Sequence, residues 1–320
     1  DWKMRSFKNQ MISSIKKNVG ENSSVVCGLS GGVDSTVTAV LIHKAIGSRL
    51  KCIFVDTGLM RKFEVDEIKK LFVKNFKIDL KIVNARKRFL DNLRGIVEPE
   101  KKRKIIGKTF IDIFESISKK SENMKFLAQG TLYPDVIESI SSFGNSKVTI
   151  KSHHNVGGLP KKMNLKLLEP LRNLFKDEVR VLGKELEIPD TFIGRHPFPG
   201  PGLGIRILGE ITKKKVKILQ EADYIFINKL KKAKLYHKIW QAFCVLLPVK
   251  TVGVMGDNRT YEYVCVIRAV SSMDGMTAES YNFNPNFITD CANEIVNNVP
   301  GINRVCYDYT SKPPGTIEWE

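Results

Sequence analysis

The stretch of sequence with the clearest chemical meaning is a glycine-containing turn between an apolar run and a segment compatible with a helix. Backbone N–H groups at a helix start bind anions, because the unpaired donors and the helix dipole point at the ligand. Glycines permit a tight turn and leave room for a phosphate group, and the hydroxyls add donors. The turn lacks the lysine of a Walker A loop and the G-x-G-x-x-G spacing. It therefore predicts a phosphate site of another kind, formed by Ser30, Gly31, Gly32, Val33, Asp34, Ser35 and Thr36.

The acidic residue in this turn, Asp34, needs an explanation of its own. A carboxylate is unusual beside a phosphate unless a metal ion stands next to it. Two interpretations stay open on the sequence alone. Asp34 either caps the helix, or it holds a Mg²⁺ ion that bridges to a leaving pyrophosphate.

A second group of candidate residues lies in a long polar segment, about 131–165, which is rich in Gly and Lys. Asp135 and Glu138 are three residues apart, so they share a face if the chain is helical there. His153 and His154 suggest a metal site, but adjacent side chains of an extended chain point to opposite sides. Loops of this length inside a domain are usually functional or mobile. Both a lid over a site and a solvated polar loop fit the pattern.

The elements around the glycine turn predict a parallel sheet. Apolar strands at 25–29, 50–55 and 80–84 alternate with helical patterns in the order β-α-β-α-β, and a helical pattern at 99–118 precedes a fourth strand at 126–128. This order favours an α/β domain with helices on both faces of the sheet. Ligands bind at the carboxyl ends of such strands, which is where the turns at 30–36 and 56–61 lie.

A cluster of Pro and Gly at 196–202 marks a predicted domain boundary. The first domain then covers 1–195 and the second covers 196–320. In the second, helical patterns to about residue 242 are followed by apolar strands at 251–255, 263–270 and 304–309. We expect a smaller α+β domain there.

Composition narrows the class of partner. The chain has 320 residues, with 52 Lys+Arg against 34 Asp+Glu, a net charge of +18. A hydrophobic fraction of 42% excludes disorder over most of the chain. A membrane-spanning helix needs an apolar run of about 18 residues, and the sequence contains no such run. Such an excess of positive charge indicates anionic partners, whether nucleic acid, nucleotides or an acidic membrane surface.

The cysteines give no sign of a metal or redox site. They form no C-x-x-C pair and no Cys/His cluster with zinc-ligand spacing. We interpret them as reduced thiols of a cytoplasmic protein, buried in the case of Cys27 and Cys52. The six are Cys27, Cys52, Cys244, Cys265, Cys291 and Cys306.

The whole string SGGVDST after an apolar strand resembles the PP-loop of ATP pyrophosphatases, which grips the pyrophosphate end of ATP. Further motifs, in order and nearly end to end, resemble the GMP synthetase family. They are VDTGLMRK (55–62), PEKKRKIIGKTF (99–110), LAQGTLYPDVIES (127–139), IKSHHNVGGLP (150–160), LLEPLRNLFKDEVRVLG (167–183), HPFPGPGLGIR (196–206), VGVMGDNRTYEY (252–263) and NRVCYDYTSKPPGTIEWE (303–320).

The resemblance implies an adenine nucleotide alpha hydrolase-like fold and a ligase reaction. ATP adenylates O2 of XMP and releases pyrophosphate; ammonia then displaces AMP and leaves GMP. Asp34 would hold Mg²⁺ at the pyrophosphate. The segment 131–165 would be a mobile lid, in which Lys151 approaches the reacting phosphate and Asp135 and Glu138 position the substrates. General-base work by His153 and His154 is the weaker expectation.

The resemblance also implies nucleotide contacts. Val55 and Phe110 match positions that sandwich the adenine, although both residues fit a core role equally well. A C-terminal tail normally frays, but Pro313-Pro314 stiffens this one and Trp319 is costly to expose, so we expect it to be docked. Asp257 is the weakest candidate, since it fits a structural turn. The candidates for XMP are Arg103, Asp257, Arg304, Lys312, Ile317 and Glu318.

The family's amidotransferase domain, which hydrolyses glutamine, has no counterpart in this sequence, so we interpret the chain as the synthetase part, cut out or a separate subunit. The resemblance further implies a homodimer formed by the second domain, with no nucleic acid and no membrane as partner. Two alternatives remain. A PP-loop enzyme that modifies tRNA suits the charge but usually needs a cysteine pair; a basic nucleic-acid-binding module leaves SGGVDST unexplained.

Overall fold

The apolar runs of the first half form one parallel sheet in the computed structural model, which describes residues 3–118, 123–136, 165–273 and 275–320. In the described residues this sheet has the order β3-β2-β1-β4-β5. Its centre is β1, which is paired on both edges and has Val25 at 0% and Val26 at 1% exposure. The strands are β1 Ser24–Leu29, β2 Leu50–Asp56, β3 Leu80–Asn84, β4 Met124–Ala128 and β5 Lys166–Leu168.

The longest buried helix follows β1 directly. Ten of its fourteen residues are buried, which explains why its sequence is apolar on nearly all sides. The helices of this part of the chain are α1 Met4–Val19, α2 Val33–Ile46, α3 Glu64–Lys69, α4 Arg86–Asn92, α5 Pro99–Ser118, α6 Lys176–Glu185 and α7 Asp190–Ile193. A single π-helical turn, Lys70–Asn75, continues α3.

The second sheet is built on a long antiparallel hairpin of β6 (Gln241–Met255) and β7 (Asn258–Ser271). The short β8 (Glu279–Ser280) pairs antiparallel with β7, and β9 (Ile302–Tyr307) pairs parallel with it. Helices α8 (Lys213–Lys232) and α9 (Pro285–Asn298) accompany this sheet. Its core cluster contains Phe243, Val245, Val266, Val270, Ala278 and Ile317.

The chain divides into two units. Unit 1 contains Asp1–Asp56, Glu64–Ala85 and Gly107–Arg195, and unit 2 contains Thr57–Phe63, Arg86–Ile106 and His196–Glu320. The predicted fold class, a parallel α/β sheet with helices plus a smaller second domain, is confirmed. The unit change after Arg195 falls at the predicted boundary, but two short segments from the first half group with unit 2.

One local prediction was wrong, and further elements were missed. Strand β6 begins at Gln241, ten residues before the predicted 251, because the continuous apolar run 242–247 shows no period that separates strand from helix. The short strand β5 was missed, whereas helix α6 lies within the stretch 168–187, which the sequence predicts to be helical in part. Helix α9 was missed, although Asn284 caps it and Pro285 opens it.

Candidate active site

The glycine turn stands at the carboxyl end of β1, and Gly32 caps α2 in an extended conformation. Gly31 has φ +80°, a value that favours glycine. A Cβ on Gly31 would also lie 2.8 Å from Oε1 of Glu64 and 3.1 Å from Cδ1 of Ile68. The turn therefore requires glycine at position 31 for both conformation and space.

Hydroxyl groups brace the turn from inside. Oγ of Ser35 accepts from the backbone N–H of Ser30 at 3.3 Å, and Oγ of Ser30 accepts from that of Gly32 at 3.3 Å. The Thr36 hydroxyl donates to the carbonyl of Gly32 at 2.8 Å. The hydroxyls that the sequence predicted as phosphate donors thus form hydrogen bonds within the turn. These bonds stabilise the shape of the turn.

Asp34 lies in the first turn of α2, where a negative charge is favoured by the helix dipole. Both of its carboxylate oxygens accept from Nζ of Lys176, at 2.7 and 2.6 Å. The side chains of Asp34 and Lys176 are 30% and 46% exposed. The pair joins two segments 142 residues apart and places one cation and one anion at the mouth of the turn.

Sequence reasoning missed Lys176, although it stands inside the quoted motif LLEPLRNLFKDEVRVLG. The topology explains its position: β4 lies next to β1, and β5 lies next to β4. The segment that follows β5 therefore returns near the end of β1. Gly130, after β4, makes this edge tighter, since a Cβ there would lie 3.0 Å from the carbonyl carbon of Asp34.

The fit of Asp34 to Mg²⁺ can be tested on its donor set. Carboxylate oxygens are hard ligands, and Mg²⁺ usually takes one or two of them together with substrate phosphates. The residues that the structure describes contain no group of three or more His, Cys, Asp or Glu side chains placed for a metal ion. Asp34 is a single, partly exposed carboxylate that faces the ammonium of Lys176. It therefore fits the role of one protein ligand to a Mg²⁺ ion whose other ligands would include substrate phosphates.

The ion pair of Glu64 and Arg195 packs against the glycine turn at Gly31. Glu64 is 3% exposed, and its Oε1 accepts from Nη1 of Arg195 at 3.2 Å. The same Nη1 lies 3.4 Å from the carbonyl oxygen of Gly31, while Nη2 pairs with Glu67. No local sequence pattern indicates this pair, because its members are 131 residues apart.

The lid prediction falls mostly outside the described residues, and this holds for Glu138, Lys151, His153 and His154. Asp135 is described, and its Oδ2 accepts from the backbone N–H of Leu132 at 2.8 Å. This bond ties Asp135 to the beginning of the segment. Its predicted substrate contact stays a prediction.

The two residues proposed for adenine differ in burial. Val55 lies in β2 and is 3% exposed, whereas Phe110 lies on α5 and is partly buried. The ring of Phe114 packs on Gly28 of β1 so closely that a Cβ there would lie 2.6 Å from its Cζ. An aromatic ring thus covers β1 near the glycine turn, while the adenine contact of Val55 and Phe110 stays a prediction.

In unit 2 the C-terminal tail is docked, as predicted. Arg268 is fully buried, and its guanidinium donates to the carbonyls of Asp308, Thr310, Thr316 and Ile317. Ile317 itself lies in the core cluster of the second sheet at 8% exposure. The tail therefore belongs to the folded structure of unit 2.

Charged tail residues have defined partners. The ammonium of Lys312 donates to the carbonyl of Gly275 at 2.7 Å. Glu318 forms an ion pair with Arg206, 2.8 Å from Oε1 to Nη2. Arg103 donates through Nη2 to the backbone oxygen of Glu320. Of the predicted XMP residues, Arg103, Lys312, Ile317 and Glu318 are therefore joined by the tail.

The other two XMP candidates lie elsewhere on the second sheet. Arg304 is on β9, where its Nε donates to Oγ1 of Thr251 at 3.3 Å. Asp257 is exposed in the two-residue turn between Met255 and Asn258 of the hairpin. Among the described contacts, no hydrogen bond or ion pair joins either side chain to the tail.

Two buried basic groups of unit 2 have pKa values lowered by burial. His196 is 5% exposed, and loss of solvent lowers its pKa to about 4. Its Nδ1 accepts from the N–H of Ala242 and its Nε2 bonds the carbonyl of Tyr236 at 2.7 Å, which fixes the neutral tautomer. Burial also lowers the pKa of Lys102, and its ion pair with Glu320 opposes that shift.

The cysteines are free thiols, and five of the six are buried; Cys306 is exposed. Cys27 and Cys52 are opposite each other on β1 and β2. The hydrogen bond with Cys27, followed by burial, raises the pKa of the Cys52 thiol well above its ordinary value. These thiols pack as small apolar groups.

No helix within the described ranges is both long and apolar enough to cross a bilayer.

Known protein families match both the N-terminal and the C-terminal part of this chain, and relatives match it over its whole length. Residues 228–319 match the family of GMP synthase C-terminal domains, and residues 6–102 match the NAD synthase family. Glutamine-hydrolysing GMP synthases from Zymomonas mobilis and Bartonella quintana are each 62% identical over 320 residues. The match covers 100% of this chain but 61% of the length of those relatives. The NMN synthetase of Francisella tularensis, a solved structure, is 16% identical, with 74% of this chain and 94% of that chain covered and a TM-score of 0.48.

Proposed function

We propose that this chain, which carries a GMP synthase C-terminal domain and is homologous to GMP synthases over its whole length, catalyses the ATP-dependent amination of XMP. In the first step O2 of XMP attacks the α-phosphorus of ATP, and pyrophosphate leaves. In the second step ammonia forms a C–N bond at C2, and AMP leaves with O2. The products are GMP, AMP and pyrophosphate.

The observation that carries this proposal is the Asp34–Lys176 pair at the mouth of the glycine turn. Adenylation separates a polyanionic leaving group, so groups that meet its charge lower the barrier. In unit 1, the Gly31–Gly32 amides and the start of α2 receive the pyrophosphate, and Lys176 supplies positive charge. Asp34 would hold Mg²⁺, which would supply positive charge for a leaving pyrophosphate.

The remaining adenylation residues are proposed from the sequence resemblance. Val55 and Phe110 flank the adenine. Lys151 approaches the reacting phosphate, while Asp135 and Glu138 position the substrates and His153 and His154 have the weaker role of general bases. The bond from Asp135 to Leu132 supports an ordered start of the lid.

For XMP, we propose a site on the docked tail of unit 2. The 5′-phosphate needs cations, which Lys312 and Arg103 supply; Arg304, which lies away from the tail on β9, is proposed from the sequence resemblance alone. Ile317 and Glu318 contact the nucleotide, and Asp257 is the weakest member of the set. The burial of Arg268 under the tail supports this proposal, because a tail that is already ordered loses less entropy on binding.

The hairpin of the second sheet is the proposed homodimer surface. Val252, Val254 and Tyr261 are 59%, 76% and 63% exposed, so the hairpin presents apolar side chains that gain from burial. Sedimentation of wild type and Val254→Lys tests this: we expect a dimer that becomes monomeric, and a monomeric wild type contradicts it.

Ammonia is the proposed nitrogen donor of this chain, and a glutamine amidotransferase part supplies it in the longer relatives, whose names state glutamine hydrolysis. We place the enzyme in the cytoplasm with the nucleotide pool.

The deciding experiment is a coupled assay of AMP and GMP formation from ATP, XMP and ammonium. We expect stoichiometric AMP and GMP that depend on all three reactants. If AMP forms only when tRNA replaces XMP, the tRNA-modifying alternative is correct; if no AMP forms with either, the chain is a binding module.

A further inference from the structure

The carboxylate of Glu318 is held by three N–H donors from two side chains of unit 2. Arg206 donates from Nε to Oε2 at 3.0 Å and from Nη2 to Oε1 at 2.8 Å. Nε2 of Gln241 adds a bond to Oε1 at 2.7 Å. A bidentate contact from a guanidinium fixes both the position and the plane of a carboxylate.

The donors are themselves immobile. Arg206 is 0% exposed, and its guanidinium lies 4.0 Å from the ring centre of Phe243. Its backbone carbonyl accepts from the N–H of Leu246 at 2.8 Å, which joins it to β6. Gln241 is 3% exposed and begins the same strand. Gln241 thus projects from β6, and Arg206 projects from the loop that is hydrogen-bonded to this strand.

The loop that delivers Arg206 is the Pro- and Gly-rich motif at 196–206. Gly202 has φ +63°, and a Cβ on it would lie 2.3 Å from the carbonyl oxygen of Leu59. Leu203 donates its N–H to that same oxygen at 2.8 Å. The motif therefore packs directly against the backbone of Leu59. The side chain of Arg206, at the end of this motif, is completely buried.

Glu318 keeps capacity for a ligand in this arrangement. A carboxylate offers about four lone-pair sites, and Arg206 and Gln241 use three of them. The fourth is on Oε2, and the side chain is 18% exposed. Nη1 of Arg206 has no hydrogen-bond partner among the described residues, so the guanidinium is committed to holding Glu318 through its other two nitrogens.

We propose that Arg206 and Gln241 are positioning residues that aim the free lone pair of Glu318 at an N–H donor of the purine nucleotide. This rests on the proposed function, in which Glu318 contacts XMP. The two residues do not touch the nucleotide; they act through the carboxylate. Their removal should therefore weaken XMP binding and leave ATP binding and the turnover number nearly unchanged.

The test is a double-mutant cycle with Gln241→Met and Glu318→Gln, measured as KM for XMP and for ATP. We expect Gln241→Met to raise KM for XMP about 5- to 20-fold, and to change it by less than about twofold once Glu318 is already Gln. The matched control is Gln220→Met. Gln220 also donates to a backbone carbonyl of unit 2, that of Met60 at 2.7 Å, but has no bond to Glu318. It should lower the unfolding midpoint by a similar amount and leave KM for XMP unchanged.

Two outcomes overturn the proposal. One is an equal rise in KM for XMP from Gln241→Met with and without Glu318; the other is no rise at all in a variant that folds. If Gln241→Met does not fold, Arg206→Lys decides, since it keeps the charge but loses the fork and should raise KM for XMP at least tenfold. Wild-type GMP formation separates the two levels: if it fails, the proposed function is wrong, and if it succeeds, only the positioning role is in question.

Discussion

At the scale of single residues, the candidate sites consist of charges that already have partners. Asp34 faces Lys176, and Glu318 faces Arg206. Ligand binding at Asp34 exchanges one partner for another, so the net gain there is smaller than a bare count of contacts suggests, whereas Glu318 keeps Arg206 and offers its remaining lone pair. It also means that a substitution leaves a partner unpaired, and each test needs a control for that effect.

Asp34→Asn is the sharpest test of the glycine turn. If Asp34 holds Mg²⁺ at the pyrophosphate, its loss removes roughly 3–5 kcal/mol of transition-state stabilisation, or about two to four orders of magnitude in pyrophosphate release. The control is Asp79→Asn, which breaks an exposed pair with Lys51 in the same unit and should leave the rate unchanged. Near-normal release by a folded Asp34→Asn would limit Asp34 to a structural role, in the first turn of α2 and in its ion pair with Lys176.

Lys312→Ala tests the tail. The substitution removes a charge-assisted bond worth about 1.5–3 kcal/mol, so XMP affinity should fall roughly 10- to 150-fold. ATP affinity should barely change, and the loss should shrink at high salt, because screening already weakens the wild-type contact. Separate titrations of XMP and ATP decide. Equal weakening of both would show that Lys312 supports the fold, since its ammonium also bonds the carbonyl of Gly275.

The sequence identified the residues that stand in local motifs and missed those that reach a site through the fold. Gly31 and Asp34 were found because a strand, a turn and a helix are adjacent in the chain. Lys176, Arg195 and Arg206 were missed because their partners lie more than 100 residues away. Only strand order brings such residues together, and strand order is not a local property.

At the scale of elements, the glycine turn is held from two sides. Hydroxyls brace it within the chain, and Glu64 with Arg195 fills the space beneath Gly31. The sequence predicted the first three strands well because each is a short apolar run between helical patterns. It failed at β6, where a continuous apolar run has no period, and it overlooked α9, whose apolar residues Phe287, Cys291 and Ile295 do recur at helical spacing.

Gly31→Ala is predicted to damage both stability and ATP binding. An L-residue at φ +80° costs about 1–2 kcal/mol, and the new methyl must displace Oε1 of Glu64. Gly47→Ala is the matched control, because Gly47 has φ +60° but no atom within 4 Å of a new Cβ. It should lose a similar free energy of unfolding and keep its KM for ATP. If both variants bind ATP like wild type, the shape of the turn does not matter to ATP.

His196 should make the free energy of unfolding depend on pH. The folded protein holds His196 neutral with a pKa of about 4, against an ordinary value of 6.5. Between these values the unfolded chain takes up a proton that the folded chain refuses, so stability is lost as pH falls from about 6.5 to 4. The loss can reach about 3 kcal/mol. Urea unfolding at several pH values should show it in wild type and in the exposed-histidine control His237→Gln, and not in His196→Gln.

At the scale of the whole molecule, the net charge of +18 suits the polyanions that take part in the proposed reaction. ATP, XMP and pyrophosphate carry several negative charges each, and a positive field raises their local concentration. We expect KM for both nucleotides to rise with ionic strength. Charge alone did not distinguish nucleotides from nucleic acid, and a tRNA-modifying PP-loop enzyme has a glycine turn of the same kind; the similarity to GMP synthases favours the nucleotide.

The last prediction concerns the nitrogen source. The matched relatives are named for glutamine hydrolysis, and this chain spans 61% of their length. None of its cysteines stands in the strand-to-helix elbow that activates a thiol, and burial raises the pKa of the Cys244 and Cys291 thiols. These 320 residues alone should therefore form GMP with ammonium and not with glutamine. The measurement is GMP formation at pH 8.5, where more free ammonia is present, with glutamine freed of ammonium. Turnover with glutamine at the rate seen with ammonium would contradict the assignment of this chain to ammonia chemistry alone.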